Sequence, residues 1–175
     1  LLKNNSQNLK ILFVGSMSQR KGLADLFNAL KILKSQHVSL TVIGQPAMAM
    51  GFYRSQYPNF KHIPTCSNEK VKSIMRKHDV LILPSIVEGC ALVQLEALSC
   101  GLPIIVTKNT GGEDFIDEGQ TGFLVPIRKP DKIAEKIEWF IDNINISPEM
   151  KIFSKNKSLN YKWQNYAKRI INYCK

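Results

Sequence analysis

No stretch of this 175-residue chain stays apolar for the roughly 18 residues that a bilayer crossing requires. Its first residues, Leu1-Leu2-Lys3-Asn4-Asn5, lack the pattern of a signal peptide. Neither a membrane span nor an export signal is therefore expected. The cysteines Cys66, Cys90, Cys100 and Cys174 form no Cys-x-x-Cys pair and have no histidine at metal-ligand spacing, which argues against a zinc site and a redox motif. They read as free thiols, with Cys90 and Cys100 as small core residues inside apolar sequence, and a reducing, cytosolic setting fits them. Three further motifs are missing: a GxxxxGK[ST] loop, a GxGxxG run and an Asp-x-Asp pair. A P-loop nucleotidase, a conventional dinucleotide fold and an Asp-x-Asp metal–diphosphate site are thus unsupported. Acidic residues are scarce, 14 against 24 basic ones, for a formal charge of +10. Even so, charge is too dilute and the 44% hydrophobic content too high for a disordered chain.

The positive excess is uneven. Residues 145–175 carry seven Lys/Arg and one Glu, so the tail holds +6 of the +10. A basic tail can meet nucleic acid or an anionic membrane surface. Its lysines are spaced out, however, which favours a solvated helix face over a binding run. The length suits one domain, with a core over about residues 10–143 and a helical tail over about 147–175. A start at Leu rather than Met points to a piece of a longer polypeptide.

Short β-rich runs recur along the chain and end in turn residues. They are Lys10–Val14, Val38–Ile43, Phe60–Ile63, Asp79–Pro84, Pro103–Val106 and Gly122–Val125. Between them lie helical patterns near 23–30, from Ser67 to about Lys77, and from about Cys90 to Cys100. The stretch 45–58 reads as a loop or irregular helix, and 113–117 as a short helix. Helices over 130–143, from Ser147, and over 161–174 with Trp163, Tyr166, Ile170 and Tyr173 on one face, complete the chain. Apolar strands without alternation, each followed by a helix, predict a Rossmann-like three-layer α/β/α fold with a parallel sheet of about six strands. Ligands of such sheets bind outside the carboxyl ends of the strands.

The stretch Pro84 to Glu96 carries the most chemistry. It runs from a buried strand into an apolar helix, and Glu96 is the only charged side chain between residues 89 and 107. A buried carboxylate there must have a partner, take up a proton or face a site. A diol is a natural partner, because one carboxylate can accept from two adjacent hydroxyls. Glu88 falls at the mouth of the sheet, and Gly89 lets a ligand approach the backbone. The amides of Cys90, Ala91 and Leu92 then point out of the helix N-terminus, a standing site for phosphate or sugar oxygens. Taken alone, Glu88 reads first as an ordinary first-turn acid that favours the helix dipole, and a salt-bridged core residue is the alternative for Glu96. Gly111-Gly112 is a turn by default. His37, His62 and His78 are scattered and read as structural or exposed.

Glu88 and Glu96, seven residues apart and preceded by Pro84-Ser85, resemble the paired-glutamate signature of retaining, GT-B-fold glycosyltransferases of the large family 4 type. The blocks around them agree in order: Phe13-Val14-Gly15, Arg20-Lys21-Gly22, Asp79-Val80, Gly101-Leu102-Pro103-Ile104-Ile105, Gly111-Gly112 and Gly119-Gln120-Thr121-Gly122-Phe123-Leu124-Val125. The resemblance covers about residues 10–143. It implies one half of a GT-B fold, with the N-terminal acceptor domain of the same polypeptide missing.

By that resemblance Glu96 would hold the ribose hydroxyls of a nucleotide sugar and Glu88 would lie against the donor sugar. The amides of Gly89, Cys90, Ala91, Leu92 and Val93 would meet sugar and diphosphate. Lys21 matches the family lysine that stabilises the diphosphate leaving group, in the loop that opens with Gly15 and Ser16. The family places an Arg after that glycine, where this chain has Ser16; Arg20 is the candidate second cation. Thr65 and Cys66 match the loop that meets the nucleobase without choosing uracil or guanine. Cys90-Ala91 stands where the family has Phe-Gly, which alters the sugar-side wall.

The resulting expectation is a donor-binding domain of a retaining enzyme that moves a sugar from a UDP- or GDP-type donor to an acceptor hydroxyl, in polysaccharide, lipopolysaccharide or glycolipid synthesis. It needs no cofactor and no metal. It is cytoplasmic, with the tail able to contact the inner face of the membrane, and does not bind nucleic acid. Two rivals stand beside it: a non-catalytic module whose tail contacts nucleic acid or membrane, and a sugar-nucleotide epimerase on the same fold.

Overall fold

The computed structural model describes residues 8–33, 37–143, 145, 147–161 and 171. Six strands form one sheet: β1 (Leu9–Val14), β2 (Val38–Ile43), β3 (Phe60–Ile63), β4 (Val80–Leu83), β5 (Ile104–Thr107) and β6 (Gly122–Val125). All pair in parallel in the order β3-β2-β1-β4-β5-β6. Every residue of β4 and β5 is buried, as their unbroken apolar sequence predicts for strands covered on both faces.

Among the described residues six α-helices have complete bounds: α1 (Leu23–Ile32), α2 (Met50–Gln56), α3 (Asn68–Met75), α4 (Leu92–Ser99), α5 (Pro130–Asp142) and α6 (Ser147–Ser158). Right-handed crossovers put helices of leftward and rightward connections on opposite faces. Accordingly α1 packs on α5, while α4 packs on both α3 and α6. The chain leaves β1 in one direction and returns to β4 on its other side, so the strand order reverses between them. Among the described residues no helix is long and apolar enough to cross a membrane.

All six expected strands are present, and the elements differ mainly at their ends. The 45–58 stretch resolves into a loop followed by α2, and Tyr53 explains its shape. The Tyr53 hydroxyl donates to Met17 O at 2.5 Å and accepts from the amides of Ala47 and Met48 at 3.0 and 3.1 Å. Helix α4 starts at Leu92, two residues later than expected, because Ala91 is extended and its amide bonds Thr110 O at 3.3 Å. That delay corrects the reading of Cys90, which is exposed rather than part of the core; Cys100 is half-buried. The expected short helix over 113–117 is a 3-10 turn over Gly112–Phe115. Of the helix expected over 161–174, only Tyr161 and Ile171 fall within the described residues, and Trp163, Tyr166, Ile170 and Tyr173 lie outside them.

Candidate donor site at the carboxyl ends of β1 and β4

The loop after β1 is the first wall of the site. It closes in a 3-10 turn, Gln19–Lys21, ended by Gly22 with φ of 72°. A Cβ on Gly22 would lie 1.9 Å from the Pro84 carbonyl oxygen, so only glycine lets this turn press against the exit of β4. Ile86 N donates to Arg20 O at 2.8 Å across the same seam. Two loops more than 60 residues apart in sequence are thereby joined.

That junction brings three of the expected residues together. Arg20 Nη1 and Lys21 Nζ each lie 2.6 Å from the same oxygen of Glu88, Oε1. The Lys21 and Glu88 side chains are 14% and 9% exposed, whereas Arg20 is 53% exposed. Shielding from water makes the lysine contact the stronger of the two, since exposed ion pairs contribute little. The Lys21 stem runs over Gly15, coming within 3.4 Å of where a Cβ would stand there. Ser16, which follows, pairs its hydroxyl with that of Ser18 at 3.1 Å. The guanidinium of Arg20 is held instead across the seam, on Glu88 Oε1 and the Val87 carbonyl.

The second wall is the start of α4. Its N-cap, Ala91, has no side chain able to cap the helix. The amides of Gly89, Cys90, Leu92 and Val93 make no hydrogen bond with a described residue. Sequence reasoning counted the Ala91 amide among the free donors; it is committed to Thr110. Unpaired amides at a helix start, with the dipole behind them, favour an anion. Gly89 is open: a Cβ there would meet nothing within 4 Å. The fold alone does not require glycine at that position.

Glu96 lies one turn beyond Leu92 on the helix face that turns away from the buried Gln94, Ala97 and Leu98. It is half-buried rather than buried, and no described residue pairs with its carboxylate. Half-buried as it is, the carboxylate still reaches solvent, so the constraint expected of a fully buried charge does not apply to it.

Thr65 and Cys66 follow β3, at the far side of the sheet from Glu88. Thr65 Oγ1 donates to Gln45 Oε1 at 3.3 Å, and Gln45 O accepts from Met17 N at 2.9 Å. Gln45 therefore bridges the loop after β1 to the loop after β3. Cys66 is half-buried against the core.

The loop after β5 braces these walls, a role that sequence reasoning did not assign to it. Glu88 N donates to Asn109 O at 2.8 Å, and Asn109 Nδ2 to Ile86 O at 2.9 Å. Thr110 O takes the Ala91 amide and also Gln94 Nε2 at 2.8 Å. Thr107 Oγ1 donates to Ser85 O at 2.5 Å. The signal was polar residues in a buried setting, because Ser85, Gln94, Thr107 and Thr110 are fully buried. Gly111 serves here as a turn, its amide bonded to Lys108 O. Among the described residues no three His, Cys, Asp or Glu side chains are grouped as metal ligands.

The family model described as glycosyl transferases group 1 matches residues 2–159. The capsular polysaccharide biosynthesis glycosyltransferase CapM of Staphylococcus aureus is 32% identical over 146 residues, covering 79% of this chain and 38% of that protein. The C-terminal domain of a glycosyl transferase group 1 family protein, LpcC, from Francisella tularensis superposes with a TM-score of 0.78 at 20% identity, covering 90% of this chain and 88% of that one. Anabaena Alr3699/HepE, solved in complex with UDP-glucose, gives 0.76 at 19% identity, covering 86% and 44%. At such identities the structural likeness shows the fold. The chain spans about two fifths of the length of the curated relatives it matches.

Proposed function

The chain belongs to the glycosyl transferases group 1 family, and from that premise we propose that it is the nucleotide-sugar-binding half of a retaining GT-B enzyme. One observation carries the proposal. Arg20 Nη1 and Lys21 Nζ converge within 2.6 Å of Glu88, beside the unpaired amides that open α4. Two cations and several oriented N–H groups at one mouth suit a diphosphate that gains charge as its bond to the sugar breaks. Such groups are fixed in advance and need little rearrangement during the reaction.

In this reading the diphosphate lies between Lys21, Arg20 and the amides of Cys90, Leu92 and Val93. Glu96 accepts from the two ribose hydroxyls, and Glu88 borders the donor sugar. The base, uracil or guanine, lies toward Thr65 and Cys66. Transfer proceeds on the face that the diphosphate leaves, and the departing oxygen takes the proton of the acceptor hydroxyl. The cations balance the charge that a metal would otherwise balance. HepE, of the same fold, was solved with UDP-glucose, which supports a nucleotide-sugar donor. The likeness to CapM supports a role in polysaccharide synthesis. The acceptor site belongs to the other domain of the parent enzyme, so this domain alone turns over negligibly.

Calorimetry with UDP and GDP tests the site. One of them should bind at millimolar concentration or below, in the presence of a chelator as in its absence. Glu96→Ala should weaken that binding roughly tenfold, the effect of losing hydrogen bonds to a charged acceptor. Absence of binding by both nucleotides, or binding that ignores the substitution, would sink the assignment.

A further inference from the structure

Glu88 holds both cations of the site through a single oxygen. Its Oε1 takes Arg20 and Lys21, each at 2.6 Å, while no described residue pairs with Oε2. The backbone fixes it there, since Glu88 N is bonded to Asn109 O and Arg20 Nη1 also donates to Val87 O at 3.3 Å. With its side chain only 9% exposed, the carboxylate has little water to fall back on.

An anion that enters this mouth therefore competes with one already in place. A diphosphate needs the same two cations, and its charge repels a carboxylate held a few ångströms away. When the cations turn to phosphate, Glu88 is left largely buried without partners, an unfavourable state. A bare nucleoside diphosphate leaves it so. A nucleotide sugar does not, because its hydroxyls can donate to the carboxylate that the cations have released.

We propose that Glu88 is a resident counter-anion that makes the site prefer sugar-bearing nucleotide over free nucleoside diphosphate. This rests on the donor-site reading above and adds selectivity to it. The same exchange run backwards favours departure of the diphosphate product once the sugar has been transferred, as Glu88 takes its cations back.

The test uses the chain titrated with UDP and GDP, with UDP-glucose and GDP-mannose, and with uridine and guanosine. For whichever diphosphate binds, Glu88→Gln should tighten it roughly fivefold or more, as expected when one repulsive charge is removed from a partly shielded site. The matching sugar conjugate should gain less, and the nucleoside lacking phosphate should be unaffected. Glu88→Ala should also tighten the diphosphate, which keeps the test valid if the first variant folds poorly. An unchanged or weakened diphosphate affinity in both variants would overturn the counter-anion role while leaving the donor site standing. A gain shared equally by uridine or guanosine would overturn it too, as it would mark a loosened loop. If neither diphosphate binds the unsubstituted chain, the donor site and the counter-anion fall together.

Discussion

Strand β4 is four residues long, and its two ends have opposite chemistry. At the amino end the side chains of His78 and Asp79 are both paired. His78 Nδ1 bonds Ile74 O at 2.8 Å, and its Nε2 meets Thr41 Oγ1 at 3.0 Å. Asp79 exchanges backbone contacts with Lys10, taking Lys10 N on its carboxylate at 2.9 Å, and has Lys151 at 3.8 Å. At the carboxyl end, partners are left open. Four amides between Gly89 and Val93 and the carboxylate of Glu96 have none among the described residues, and the buried Ser85 Oγ is unmatched. The first end contributes to holding the fold together, and the second keeps its donors and acceptors available. Parallel topology explains the asymmetry, because helix N-termini with their unpaired N–H groups all gather at the strands' carboxyl ends.

The sharpest way to break this contrast is Gly22→Ala. It forces a Cβ into the Pro84 carbonyl at a left-handed backbone position, so we expect a loss of about 3 kcal/mol or more in urea unfolding, together with loss of nucleotide binding. Lys21→Met comes next and should separate function from stability. Diphosphate affinity should fall by about 10–100-fold. The unfolding midpoint should move less than in Gly22→Ala, because the exposed Arg20 still pairs with Glu88 and the backbone junction is untouched. A large drop in stability with unchanged binding would reverse the roles assigned to the two ends.

The amino end should instead respond to pH. Burial holds His78 below the ordinary histidine value of 6.5, and the Ile74 carbonyl offsets only part of that. The unfolded chain then takes up the proton first as pH falls. The stabilising contribution is complete above the unfolded value and is lost as pH drops through the folded one. Melting temperature should therefore decrease between about pH 7.5 and about pH 5, and His78→Gln should flatten that decrease. A slope identical in the variant would remove His78 as its source. The smallest effect is expected of Lys151→Ala. Its contact with Asp79 is long at 3.8 Å and 41% exposed on the lysine side, so stability should stay within about 0.5 kcal/mol.

Much of the site was legible in the letters, but not how it is held. Glu96 stands out as the only charge between residues 89 and 107, whereas Lys21, Arg20 and Glu88 were marked by the family resemblance. Asn109, Thr110, Thr107 and Gln94 do not, because each acts through a backbone atom of another loop and no local pattern announces that partnership. The Cys90 and Ala91 readings failed for one related reason. Helix start is set by which amide finds an outside acceptor, and Thr110 O reaches Ala91 from a neighbouring strand's loop.

Periodicity and turn residues determined six parallel strands with intervening helices, since the burial of each strand is written in its own side chains. The order of the family's blocks came from the resemblance of their letters to the family's motifs. Tertiary structure alone decided that Arg20 and Lys21 close on one oxygen of a glutamate 68 and 67 positions away, and that Glu96 lies half-buried without a partner. Strand and helix preferences are local, whereas contacts between loops depend on how crossovers align the strand ends. Here that alignment turns on Gly22 meeting the backbone of Pro84.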